Sequence, residues 1–267
     1  MPTSPENHPQ TQAASRTDID AVAGDCAAAV ERAAPAPDMV GEWRRLWAFL
    51  RQPTLAVAGQ SAAPFTVLAR IYTLDMIAIA CLIGVASVAV AAGVYIPETA
   101  LAGMEFTLPL ILAVVIGAPV FEELAFRGWL SGKPGHVIAL LLIGAGAAGF
   151  GVIHASAPLI GMLIIAAALI GAAAALITLR HRGPMTWYAR AFPGFFWFAT
   201  LSFALVHLAN FDEGSLAVLL PLVLPQFILG SMLGYVRVHI GLWAAILLHA
   251  AHNATAVSLA ALSTLAQ

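Results

Sequence analysis

The sequence predicts an all-α, polytopic transmembrane helix bundle of about seven to eight spans. Three observations carry this. Hydrophobic residues make up 61% of the 267-residue chain and charged residues 10%, against roughly 45–50% and about 25% in ordinary soluble domains. Half of the charged side chains lie in the first 70 residues. The remainder is a series of apolar runs close to the ~20 residues that cross a bilayer as a helix. A net charge of −2 gives no basic footprint for nucleic acid. Cys26 and Cys81 are too few for a disulfide framework or a cysteine metal cluster.

From the N-terminus, residues 1–41 are dominated by Ala, Pro, Thr, Ser and Asp and bury too little apolar surface to offset the entropy of ordering, which predicts a disordered cytoplasmic tail. The start lacks the basic residues and 7–15-residue apolar stretch of a cleaved signal peptide. Residues 42–70 read as an interfacial amphipathic segment or an extra span. Within them, Glu42–Gln52 mixes Trp43, Leu46, Trp47, Phe49 and Leu50 with Arg44, Arg45 and Arg51, suited to an anionic lipid surface. Leu55–Leu68 is a weaker span candidate that would reverse the tail.

Residues 71–267 hold the bundle. Apolar segments fall at about Leu74–Tyr95, Phe106–Trp129, His136–Ile153, Leu159–Leu179, Phe195–Leu208, Ser215–Val236 and Leu242–Leu262. Threading these seven with the tail inside puts Arg70, Arg127, Lys133, Arg180, Arg182, Arg190 and Arg237 at inner ends. Glu98, Glu105, Asp212 and Glu213 fall outside, as the positive-inside bias requires. The expected location is an integral one, in a bacterial inner membrane. Small residues in Gly144–Gly149 and Gly171–Ala175, and the Gly230/Gly234 pair, predict close helix–helix contact.

Ionisable groups inside apolar helices are costly and so mark function. Glu122, Glu123 and Arg127 follow Pro119, which removes a backbone hydrogen bond. Glu123 and Arg127 have the favourable i,i+4 order for an ion pair, whereas Glu122 points about 100° away round the helix. Phe203 and His207 share a second helix face, and His249 and Asn253 a third, with His252 close enough to replace either. Together they supply a general base, a histidine partner and two oxyanion donors, the inventory for amide hydrolysis.

In order along apolar helices, Glu-Glu-x-x-x-Arg at 122–127, Phe-x-x-x-His at 203–207 and His-x-x-x-Asn at 249–253 resemble the three motifs of the CAAX prenyl protease and bacteriocin-processing (CPBP) family of intramembrane proteases. The stretch Pro225–Arg237, running into Gly241 and Trp243, resembles the family's approach to its third motif. The resemblance implies an intramembrane endopeptidase acting on a membrane-associated protein or peptide. Glu122 and His207 would activate water, Glu123 and Arg127 fix the helix face, and His249 and Asn253 form an oxyanion hole. Two extra spans between the first two motifs depart from the family pattern and raise a rival, because Phe150 and His154 repeat the second motif nearer Glu122. His207 is preferred because it leads directly to the Gln226–Arg237 segment. Its place near the outer end of its span then requires a short or deep-starting helix, with Asn210, Asp212 and Glu213 lining a water-filled cavity.

No cofactor is expected, the alternative being a zinc enzyme that uses His207, His249 and a Glu as ligands. A transporter with broken helices at Pro221 and Pro225 and a non-enzymatic, immunity-type membrane protein are the other readings left open. No segment identifies the substrate.

Overall fold

In a computed structural model, residues 38–55, 63–99 and 105–265 are described, with side chains through 262. The expected disordered tail lies outside them except at its end. There Asp38 caps the first helix, α1 (Met39–Arg51), by accepting from the Gly41 N–H at 2.7 Å. Helix α1 thus begins inside the boundary read from composition. Its apolar stripe is buried through Leu46 and Phe49, while Arg44 and Arg45 stay exposed. The helix is pinned at its N-terminal end by two adjacent residues. Trp43 Nε1 donates to the Arg70 carbonyl at 3.0 Å, and Tyr235 donates to the buried Glu42 carboxylate at 2.6 Å.

The described regular elements are all helical. Helix α2 is Pro64–Ala91, with proline in its first turn, where a missing N–H is harmless. It starts ten residues before the expected span at Leu74, so Leu55–Leu68 is no separate span: its last residues belong to α2, and residues 56–62 lie outside those described. Helix α3 covers Leu108–Ser131, α4 Pro134–Ile153, α5 Pro158–Thr178, α6 Thr186–Asn210, α7 Leu216–Leu222, α8 Leu224–His239 and α9 Leu242–Leu265. Among the described residues, six helices are long and apolar enough to cross a membrane, and α7 with α8, bent by 41°, makes a seventh if the pair is one broken span. Pro221 and Pro225, each without an N–H, flank that break at Val223 and account for it. The chain is therefore an integral membrane protein, a helical bundle with six to seven spans among the described residues.

Helix α8 is the hub, touching α1, α2, α6 and α9. The core around it is aromatic on the α6 side, where Phe192, Phe196 and Phe203 are fully buried. It is small on the α9 side, at Ala244 and Ala245. Gly230 and Gly234 bring α8 against α6. A methyl group at Gly234 would lie 2.5 Å from Phe196 Cε2, and one at Gly230 would lie 3.0 Å from Phe203 Cδ1. Phe196 is buried and cannot step aside, so Gly234→Ala is expected to destabilise the bundle by about 1–3 kcal/mol, the range for overpacked cores. The midpoint of thermal unfolding in micelles checks it.

The two spans between the first and second motifs, α4 and α5, form a hairpin packed chiefly on itself. It adjoins the hub bundle through the 3₁₀ turn Gly128–Ser131. Glycine permits its tightness: a Cβ at Gly146 would fall 2.3 Å from that of Ala168. Outside the spans, Tyr95 donates to Glu213. That bond, together with the carboxylate's charge, raises the Tyr95 pKa above its ordinary value.

Candidate active site

The site begins with a backbone irregularity. Over Ala113–Gly117 the hydrogen bonding of α3 widens to a π turn, in which the Ala118 N–H bonds the Ala113 carbonyl. Five residues beyond Val114 stands Pro119, which has no N–H to offer. The Val114 carbonyl is instead satisfied by Asn253 Nδ2 of α9, at 2.9 Å. The bend expected at Pro119 is therefore a π turn, and it ties α3 to α9 just ahead of the paired carboxylates.

Glu122 and Glu123 then face different partners, as their 100° separation dictates. Glu123 Oε1 accepts from Arg127 at 2.8 Å and from His249 Nδ1 at 3.0 Å, and Glu123 and Arg127 are both fully buried. The Arg127 guanidinium lies over the Phe203 ring, 3.9 Å from its centroid. It also approaches the Gly230 carbonyl at 3.5 Å. Phe203 is thus the platform under the network, with His207 and His249 against its ring at 4.8 and 5.5 Å between centroids. Arg237 closes the far end by donating to the carbonyls of Arg127 and Gly128 at 2.9 and 3.3 Å, where the helix tightens.

Glu122 turns to the histidines. Its Oε2 is 3.9 Å from His207 Nε2 and 3.8 Å from His249 Nε2, and it is buried with no hydrogen-bond partner among the described residues. Each imidazole has its other nitrogen committed. His207 Nδ1 donates to the Phe203 carbonyl at 2.7 Å, and His249 Nδ1 to Glu123. These bonds fix ring orientation and tautomer, so both Nε2 atoms face the Glu122 carboxylate. The Glu122 side chain is 29% exposed, against 3% for His249, so the cluster is open on the Glu122 side.

Glu122, Glu123, Arg127, His207 and His249 form one connected network. Asn253 adjoins it through Val114. His154 is exposed at the end of α4, its ring stacked on Phe150 at 4.4 Å between centroids. Span α6 reaches Glu122 without being short. It runs for 25 residues and meets α3 one turn at a time, Phe198 against Trp129 and Phe203 against Phe126. The next step in that register brings His207, one turn after Phe203, to Glu122, one turn before Phe126. Asn210, Asp212 and Glu213 are exposed.

Sequence reasoning passed over Asp75. This α2 side chain is fully buried, and its Oδ2 accepts from His252 Nδ1 at 2.7 Å. An acid inside an apolar run was the available signal.

A sequence model of the type II CAAX prenyl endopeptidase Rce1-like family matches residues 104–192 and 182–255, together more than half of the chain. The first stretch contains Glu122, Glu123 and Arg127; the second contains His207, His249 and Asn253. No curated protein and no solved structure matches the chain.

Proposed function

Because the chain belongs to the type II CAAX prenyl endopeptidase Rce1-like family, we propose that it cleaves a peptide bond of a membrane-associated protein or peptide with a water molecule activated by Glu122 and His207. Membership makes it a CAAX-type protease embedded in the bilayer. The observation that carries the finer reading is the buried, unpartnered Glu122 Oε2 between two imidazole Nε2 atoms at 3.8 and 3.9 Å.

A water held by Glu122 Oε2 and either Nε2 at ordinary hydrogen-bond lengths subtends roughly 90° between them, within the range a water accepts. It donates to Glu122 and to His207 Nε2, leaving a lone pair for the scissile carbonyl carbon. As the O–C bond forms, its proton passes to Glu122 Oε2. When the C–N bond breaks, the same proton leaves with the amine. Asn253 keeps one amide N–H for the oxyanion after bonding Val114. His249, held by its Nδ1 bond to Glu123, presents Nε2 to the same space as the second member of the oxyanion hole. Oxyanion donors of this kind contribute about 2.7–4 kcal/mol each.

The same three atoms, Glu122 Oε2, His207 Nε2 and His249 Nε2, are the donor set of a zinc site in kind. Their spacing fits it poorly. An ion about 2.0–2.1 Å from both Glu122 Oε2 and one Nε2 would need an angle near 140° instead of a tetrahedral one. Among the described residues no three His, Cys, Asp or Glu side chains are arranged to hold a metal. We therefore read the enzyme as glutamic, with no cofactor. The distribution of Lys and Arg supports a cytoplasmic tail, and the Ala-rich composition and short loops are compatible with a bacterial inner membrane.

Purified protein in lipid vesicles is expected to cleave an internally quenched peptide ending in S-farnesylated Cys-Ala-Ala-X, at a rate unchanged by exhaustive chelation. A rate that falls with chelation and returns with zinc would replace the glutamate reading by the metal one. Comparing membrane proteomes of strains carrying the parent and Glu122→Gln chains identifies the natural substrate.

A further inference from the structure

Helix α9 presents three polar side chains within one turn, each bonded to a different partner. His249 Nδ1 donates to Glu123 at 3.0 Å, His252 Nδ1 to Asp75 Oδ2 at 2.7 Å, and Asn253 Nδ2 to the Val114 carbonyl at 2.9 Å. At 100° per residue, His252 lies about 60° to one side of His249 and Asn253 about 40° to the other. His249 is thus bracketed between an anchor on α2 and an anchor on the π turn of α3.

The α2 anchor is costly in a way that calls for a role. Asp75 stands about 16 Å from the start of α2 and is fully buried, with its Oδ1 unpartnered among the described residues. Buried ion pairs stabilise less well than apolar side chains of similar volume, and a carboxylate within the hydrocarbon is rarer still. Three residues along each helix, Tyr72 and Thr255 share a second bond, at 2.6 Å. The buried residues of α2 are Val67, Leu68, Ile71 and Asp75, so its attachment to the bundle ends at this pair.

We propose that Asp75 and His252 are positioning residues that set the rotation of α9 about its axis and so aim His249 Nε2 at Glu122. A side chain about 5–6 Å from a helix axis moves by about 2 Å when the helix turns 20°. That is half of the 3.8 Å between His249 Nε2 and Glu122 Oε2. Displacements of about 1 Å cost on the order of 10²-fold in rate. Only the kinetic consequence rests on the proteolytic reading of the site; the geometric one does not.

The test uses the full chain in lipid vesicles with Asp75→Ala, His252→Ala, the double variant and Asp75→Asn. The ring ¹⁵N resonances of His249, assigned by comparison with His249→Gln, report its setting. Cleavage of the quenched farnesylated peptide reports kcat and KM. Either alanine variant is expected to move the His249 resonances and to lower kcat about 10²-fold with KM nearly unchanged. The double variant should lose no more than either single one, because the two residues act as a unit. Asp75→Asn, whose amide oxygen still accepts from His252 Nδ1, should restore the resonances and most of the rate. Should a single alanine variant not fold, the double one, which leaves no buried charge unpaired, carries the comparison. Unmoved His249 resonances in the alanine variants, or an Asp75→Asn protein as altered as Asp75→Ala, would overturn the proposal. Retained cleavage by Glu122→Gln would sink the proteolytic reading instead, with the resonances still deciding the positioning role.

Discussion

Glu122→Gln is expected to leave the bundle folded and to lower peptide cleavage by roughly 10³–10⁴-fold, the upper part of the range for loss of a general base. The two halves of that expectation come from different features of the same side chain. Glu122 makes none of the bonds that hold α3 to α6 and α9; those belong to Glu123, Arg127 and Asn253. Its side chain is 29% exposed, so an amide of the same shape imposes little burial penalty. The amide cannot accept a proton from water, and its NH₂ would donate to an Nε2 that otherwise accepts. Cleavage rates set against thermal midpoints for parent and variant separate the two effects. A variant with parental turnover would remove Glu122 from the chemistry.

The contrast with Glu123 shows which parts of the site were legible in the sequence. Adjacent carboxylates must point about 100° apart on a helix, and an Arg four residues after one of them selects that one for pairing. The division of labour between Glu122 and Glu123 therefore follows from spacing alone. So does the shared face of Phe203 and His207. The partner of Asn253 does not, because the carbonyl it satisfies is freed by a π turn that depends on how α3 packs. The meeting of His207 with Glu122 was likewise obscured by treating spans as parallel rods. The register of α6 on α3, with Phe203 against Phe126 and His207 beside Glu122, is a matter of tertiary packing that span lengths do not give. Asp75 was missed through an error of boundary: starting the span at Leu74 put the acid at the membrane surface, where it needs no explanation. With the helix starting at Pro64, the same residue lies in the interior.

Removing Arg127 is expected to have the largest effect on stability. Arg127→Ala leaves the Glu123 carboxylate fully buried with His249 as its remaining hydrogen-bond partner among the described residues, and breaking a buried pair from one side costs about 3–5 kcal/mol. The guanidinium's position over Phe203, 3.9 Å from the ring centroid, adds a cation–π contribution of up to about 2 kcal/mol in a desolvated setting. These effects share atoms and will not sum. Glu123→Gln/Arg127→Met should therefore be more stable than Arg127→Ala alone, since it removes both charges while filling most of the volume. The glutamine oxygen still accepts from His249 Nδ1, so the double variant should also keep more activity. Equilibrium unfolding in micelles orders the three proteins. If Arg127→Ala were as stable as the parent, the pair would be dispensable to the frame, and the orientation of His249 would have to rest on the Asp75 and Asn253 anchors alone.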